Sequence, residues 1–422
     1  MLSIIVLRAI FFCLPVRRLN PMLAVALVGV VLLLDLLRSM LEGSTGSLSY
    51  GLVDEPAHLA TCAVALLALV AVRAAAARRP PSGSGRFRVG AMTAVTLVVV
   101  GLGASSAAAS YPISMGAYLP GVEENPGLID TYTAEVGTSP VIVSTYTDWT
   151  RPLVNPTYLN AVWSRGAVPL LSWEPWDWSD RSRVFRFRAI AKGRYDAYIE
   201  ASARAVASWG NPILLRFAHE VNGRWYPWGA GLNGTTPRTY IAAWRHIVRI
   251  FRANGARNAK WVWTPYVRVG DRFPFVRFYP GDRWVDWVGL DGLNGGAVFG
   301  WRPFTKIFAA SYRQLVAITS RPVILAEMGS TEDGGMKSAW VSTALGRGIP
   351  RFSHIRAIVW WSTQDPKGRG DFRVGSSPTA LAAIREALAT TRYESDRSLL
   401  LATPRRIGHL PRRAKHSHKG RR

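Results

Sequence analysis

Pro212-Ile-Leu-Leu-Arg-Phe-Ala-His-Glu220 is the stretch on which the fold turns. Its first half is apolar and short, as a buried strand requires. Its end carries Arg216, His219 and Glu220. A strand that starts apolar and finishes in titratable side chains suits a parallel sheet whose chemistry lies at one edge. Seven further runs share its character: Met115–Val122, Val141–Trp149, Val168–Glu174, Lys260–Val267, Val285–Leu293, Pro322–Ser330 and Arg356–Thr363. Helix-like segments separate most of them, at Tyr195–Trp209, Pro237–Ala253, Phe304–Ser320 and Thr379–Thr390. Pro237 follows Thr235-Thr236, so that helix has both a capping hydroxyl and a proline at its first position. Eight such strands in about 280 residues predict an α/β fold, a (β/α)8 TIM barrel over residues 111–390. The rival is a doubly wound sheet, but no Gly-rich phosphate turn follows the first strand.

The 422 residues divide unevenly. Residues 1–110 carry three apolar stretches, near 21–38, 58–73 and 89–109, close to the ~20 residues that span a bilayer. A run over 2–16, interrupted by Arg8, is a fourth span or an interfacial segment. Arg73, Arg78, Arg79, Arg86 and Arg88 lie between the second and third stretches, and Glu42, Asp54 and Glu55 between the first and second. That asymmetry predicts an α-helical membrane region in a lipid bilayer, arginines cytoplasmic, with the barrel outside the cytoplasm. The third stretch ends in Ala107-Ala-Ala-Ser110, which also reads as a signal-peptide cleavage site that would release the barrel. Residues 391–422 hold 10 basic and 2 acidic side chains, a disordered basic tail on this reading. Such a tail is a solvated end or a contact for an anionic surface polymer. No zinc-finger spacing or RNP-like segment supports specific nucleic-acid binding. Two cysteines, Cys13 and Cys62, exclude a disulfide scaffold.

In a barrel, function gathers at the C-terminal ends of the strands. Asp148, Glu174, His219, Glu220, Asp291, Glu327 and Asp365 fall there, among Trp149, Trp173, Trp225, Trp228, Trp263, Trp360 and Trp361. Carboxylates among indoles suit a carbohydrate: sugar faces stack on aromatic rings while carboxyls do acid–base and covalent work. Glu220 and Glu327 end the fourth and seventh strands, which face each other across a barrel mouth. Retaining glycosidases need two carboxyls about 5–5.5 Å apart. Other chemistries lack their parts. His219-Glu220 begins like a zinc-protease motif, but Gly223 stands where its second histidine belongs. No Gly-x-Ser-x-Gly elbow and no cysteine after residue 110 offers another nucleophile. Neither metal nor cofactor is called for.

Arg216-Phe-Ala-His-Glu-Val-Asn-Gly-Arg-Trp-Tyr-Pro-Trp228 resembles the strand-four signature of glycoside hydrolase family 26, the β-mannanase-type enzymes. The resemblance runs over about residues 114–390, through Gly116–Gly121, Leu171-Ser-Trp-Glu-Pro175, Tyr279–Gly292, Ile324-Leu-Ala-Glu-Met-Gly329 and Val359-Trp-Trp361. It implies a barrel acting on a β-linked polysaccharide, β-1,4-mannan above all. Glu220 would be the acid/base and Glu327 the nucleophile. His219 would bond sugar or hold a carboxylate. Trp225, Trp228 and Trp360 would be sugar platforms, Trp173 a further platform or ordinary core, and Asn222 a substrate contact. Arg216 is expected inside the barrel, paired with a carboxylate, and Asp291 in a supporting role. One position departs: the family commonly has tyrosine after the strand-six Asp-Gly, where this chain has Leu293. That leaves open a glycan-binding or polysaccharide-assembly protein on the same scaffold. Transglycosylation also stays open, since it shares its first half-reaction with hydrolysis.

Overall fold

The computed structural model describes residues 112–407, apart from 268, 269, 271, 391, 404 and 405. The expected spans near 21–38, 58–73 and 89–109, and the run over 2–16, lie outside the described residues. Among the described residues no helix is long and apolar enough to cross a membrane.

Eight parallel strands close into a barrel: β1 Ile113–Tyr118, β2 Ile142–Asp148, β3 Val168–Glu174, β4 Ile213–Phe217, β5 Ala259–Trp263, β6 Trp287–Asn294, β7 Val323–Ser330 and β8 Ile355–Trp361. Each pairs with the next, and β8 pairs with β1, which pairs with β2. The strand–helix rhythm of the sequence therefore reports a (β/α)8 barrel. Strand alternation sends Ile142, Val168, Leu170, Leu214, Val262, Ile324, Ala357 and Val359 into one small cluster. The larger core lies between the strands and the surrounding helices.

The helices begin where local chemistry says they should. Thr236 and Thr239 form a reciprocal cap ahead of Pro237–Ala253, with Pro237 in the first turn. That helix buries Tyr240, Ala243, Trp244, Ile247, Val248 and Phe251, a 3.6-residue stripe. Asn155 and Ser377 cap Pro156–Ser164 and Pro378–Leu388, each side chain accepting one backbone N–H and each followed by proline.

Most strand bounds shift by one to four residues from the sequence reading, and two departures bear on the site and the tail. The fourth strand stops at Phe217 rather than continuing to Glu220, because Ala218 and Glu220 take left-handed backbone angles, φ 43° and 52°. And where the charge pattern starts a disordered tail at 391, the chain still packs on the barrel. Tyr393–Glu394 adds a ninth short strand beside Ile113 and Ser114. Asp396 then caps a helix, Arg397–Leu401. Leu400 joins the small cluster inside the barrel, and the Arg397 guanidinium lies 3.7 Å from the Trp163 ring centre. Counting charges hid the two apolar anchors, Tyr393 and Leu400. The basic residues from 412 onward lie outside the described residues.

Candidate active site

Glu220, Asp291 and Glu327 meet at the mouth of the barrel, with one carboxylate oxygen of each within 4.8 Å of the others. Three local features bring them together. The left-handed residue at Glu220 ends β4 in a sharp turn, held where its N–H donates to the Thr264 carbonyl at 2.8 Å. A non-glycine residue there costs about 1–2 kcal/mol, which the surrounding structure must offset. A register shift between Leu290 and Asp291 brings Asp291 level with Glu327 on β7. Gly289 makes that close strand approach possible: a Cβ there would lie 2.4 Å from the Ile324 carbonyl oxygen.

Three buried carboxyls need compensation, and Arg216 supplies it from β4. Its Nη1 reaches Asp291 Oδ2 at 3.1 Å, its Nη2 reaches Glu327 Oε1 at 2.7 Å, and its Nε donates to Ser172 Oγ at 2.9 Å. The fixed guanidinium thus occupies the place that a cation would take between two of the three acids. Burial, then the like charges of Glu327 and Asp291, pushes the Glu220 carboxyl well above the usual carboxylate range. The Trp225 indole N–H donates to Glu220 Oε2. Burial also raises Asp291, against the pull of Arg216.

Glu327 Oε1 accepts a second hydrogen bond, from the Tyr146 hydroxyl on β2 at 2.7 Å. His219 Nε2 lies 3.1 Å from the Tyr226 hydroxyl, 3.8 Å from Glu174 and 4.0 Å from Glu327. Burial and the charge of Arg216 hold this imidazole well below its usual value, so it is neutral. Glu174 accepts two indole N–H bonds on one oxygen, from Trp176 at 2.8 Å and Trp178 at 2.6 Å. Burial pushes it up to about 7 all the same. The site therefore combines one carboxyl biased to keep its proton with one carboxylate held by two donors.

Residues 191–360 match the family profile described as Glycosyl hydrolase family 26. The chain belongs to glycoside hydrolase family 26. Endoglucanase H of Acetivibrio thermocellus is 35% identical over 305 residues, 70% of this chain and 32% of that protein. Mannan endo-1,4-beta-mannosidase A and B of Caldalkalibacillus mannanilyticus is 30% identical over 172 residues, 38% of this chain and 31% of the relative. The chain thus spans about a third of the length of these two relatives. Among solved structures, a modular endo-beta-1,4-mannanase from Cellulomonas fimi has a TM-score of 0.52 at 20% identity, covering 67% of this chain and 72% of that one. At that identity the likeness concerns the fold.

The family 26 motif residues do not all face the mouth. Trp225 does, at 40% exposed, with its ring edge-on to Tyr266. Trp228 is 1% exposed; it stacks parallel on Tyr226 at 4.2 Å and donates to the His219 carbonyl. Trp360 is 0% exposed and points away from the barrel axis, its N–H on the Phe372 carbonyl and Lys337 Nζ 5.8 Å from its ring centre. Trp173, also 0% exposed, packs among Trp149, Tyr198, Phe217 and Phe251. Trp228 and Trp360 correct the platform expectation and Trp173 takes its alternative as core: none offers a face on which a sugar could stack. Asn222 is buried as well, its amide bonded both ways to the Tyr266 backbone at 2.9 and 3.0 Å, so it holds Tyr266 in place. Asp148 organises the loop after β2, and Asp365 pairs with Arg369.

The mouth is lined instead by other, partly exposed rings. Trp361 stacks on Tyr118 at 6.1 Å and 14°, and Tyr118 meets Tyr146 edge-on at 5.0 Å. Tyr226 and Tyr266 complete the opposite side. For Trp361 the signal was present. Consecutive strand residues face opposite ways, so of Trp360 and Trp361 only one can face inward.

Proposed function

We propose that this chain is an endo-acting, retaining β-glycoside hydrolase whose substrate is a β-1,4-linked polysaccharide of the mannan type. The observation that carries this reading is the approach of Glu220 and Glu327 within 4.8 Å, with burial holding the Glu220 carboxyl far above its ordinary range. Retaining hydrolysis needs two carboxyls close enough that one can bond to the anomeric carbon while the other, with its value raised, protonates the leaving oxygen. Glu220 gives its proton to the leaving glycosidic oxygen while Glu327 bonds to the anomeric carbon. Water then attacks, its proton returns to Glu220, and the C–O pair returns to Glu327. Arg216 keeps Glu327 and Asp291 in place throughout. Trp225 and the Tyr118–Trp361 pair supply stacking surface on either side.

Aromatic faces on two sides of the carboxyl pair suit cleavage within a chain. The names of the relatives support mannan and glucan as the two substrate classes to separate. The apolar segments of residues 1–110 support a further part of the proposal, that the barrel acts outside the cytoplasm while tethered to the cell membrane. The test is reducing-end release by the full chain from β-mannan, glucomannan, mixed-linkage β-glucan and β-1,3-xylan, beside Glu220→Ala and Glu327→Ala. Release from one glycan, lost in both variants, supports the assignment and names the substrate. Binding to a glycan without release by the parent would replace it with a glycan-binding role.

A further inference from the structure

We propose that Tyr146 is a positioning residue for Glu327: its hydroxyl locks one carboxylate oxygen, so that the other faces the anomeric carbon. The inference rests on the glycosidase reading and adds a residue outside the motifs that carry it. Tyr146 and Arg216 both donate to Oε1, each at 2.7 Å. Among the described residues no hydrogen bond reaches Oε2. Two donors converging on one oxygen fix the rotation of the carboxylate plane. They leave Oε2 as the attacking atom.

The phenol is itself held from three sides. The Arg216 guanidinium lies 5.5 Å from its ring centre, Tyr118 meets it edge-on, and the His219 ring is 5.8 Å away. Burial and the charge of Glu327 push its ionisation well above the ordinary tyrosine value, so it remains a donor at any working pH. Leu293, at the position where the family commonly has tyrosine, is buried and has no polar side-chain atom. The hydroxyl that reaches the nucleophile comes from the second strand.

The two half-reactions respond differently to this hydroxyl. In glycosylation, Oε2 bonds to the anomeric carbon, the bond to the leaving oxygen breaks, and Oε1 loses charge as the ester forms. In deglycosylation, water bonds to the same carbon, its proton goes to Glu220, and the electron pair of the ester bond returns to Glu327. Charge grows on Oε1 in that second step, so a donor there stabilises its transition state directly. Glycosylation gains orientation alone, offset by the weakening bond. Loss of the hydroxyl should therefore slow the second step more.

The experiment uses the full chain and its Tyr146→Phe variant with 2,4-dinitrophenyl β-mannobioside and β-cellobioside. Phenolate release is followed from the first turnover, and intact mass after mixing. The expected result is a kcat lower by about 10- to 100-fold, the range for losing a hydrogen bond to a charged group. KM should fall with it, a phenolate burst should appear, and a glycosyl adduct should become visible by mass. A thermal midpoint near that of the parent goes with this outcome. A kcat within twofold of the parent, without burst or adduct, overturns the proposal and leaves the glycosidase reading intact. A variant that does not fold overturns it in favour of a packing role. A parent that releases no phenolate from either glycoside removes the glycosidase reading, and this inference with it.

Discussion

Replacing Arg216 by methionine would remove the guanidinium that bonds to both Glu327 and Asp291 while keeping much of its volume. All three side chains are nearly or wholly excluded from solvent. Breaking a buried pair from one side costs about 3–5 kcal/mol, because the remaining charge is left uncompensated. Here two carboxyls lose their partner, and the Ser172 hydroxyl loses a donor. The variant can lower that cost only by protonating. Burial already raises Asp291, and without the arginine its folded-state value rises further. A carboxyl raised in the folded state keeps its proton after the unfolded chain has released it. Stability of the variant then falls as pH rises from about 4, by about 1.4 kcal/mol per pH unit for each such group, until the raised value is passed. Urea unfolding of parent and variant at pH 5 and pH 8 tests this. The penalty should be about 3–5 kcal/mol at pH 8 and smaller by at least about 1 kcal/mol at pH 5. A penalty below about 1 kcal/mol, or one equal at both pH values, would refute the argument that Arg216 is the compensating charge.

Other outcomes follow from the same geometry. Glu220→Gln should lose about 10³-fold or more in kcat/KM on polysaccharide, yet far less on a dinitrophenyl glycoside, whose leaving group needs no proton; steady-state kinetics on both substrates checks it. Because burial raises Glu220, the alkaline limb of kcat/KM should lie well above the ordinary carboxylate range, so activity persists through neutral pH and falls as Glu220 deprotonates; a pH profile with that limb near 4–5 would contradict it. Trp225→Ala should raise KM with little change in unfolding free energy, while Trp360→Ala should cost about 3–5 kcal/mol, the range for a buried aromatic; denaturant titration beside a KM measurement separates the two. Leu400→Ala should cost about 2–5 kcal/mol in the same titration with kcat unchanged, since Leu400 fills the barrel away from the mouth.

Much of this architecture is legible along the chain. Eight short apolar runs, spaced by amphipathic helices with capping residues and prolines at their starts, are local signals, and local signals survive in a sequence. Glu220 and Glu327 were readable because each closes such a run. Arg216 was readable because a charge in the middle of an apolar strand needs a buried partner. The pairing of Arg216 with Glu327 and Asp291 answers that requirement.

What the linear chain does not carry is the direction each side chain takes once the barrel closes. Trp360 and Trp361 are adjacent letters with the same chemistry, and strand alternation sends one into the helix layer and the other to the mouth. Trp173 and Glu174 divide in the same way. Tyr146 stands 181 residues from Glu327, and only the closure that brings β2 and β7 around one mouth lets its hydroxyl reach the carboxylate. Tyr393 and Leu400 sit in a basic stretch, and the sites that bury them, beside Ile113 for Tyr393 and in the small barrel cluster for Leu400, exist only after the strands have paired. The residue types and the strand–helix period came from the sequence, since they depend on neighbours in the chain. Register, facing and the sharing of one arginine by two acids came from tertiary structure, since they depend on residues the chain holds far apart.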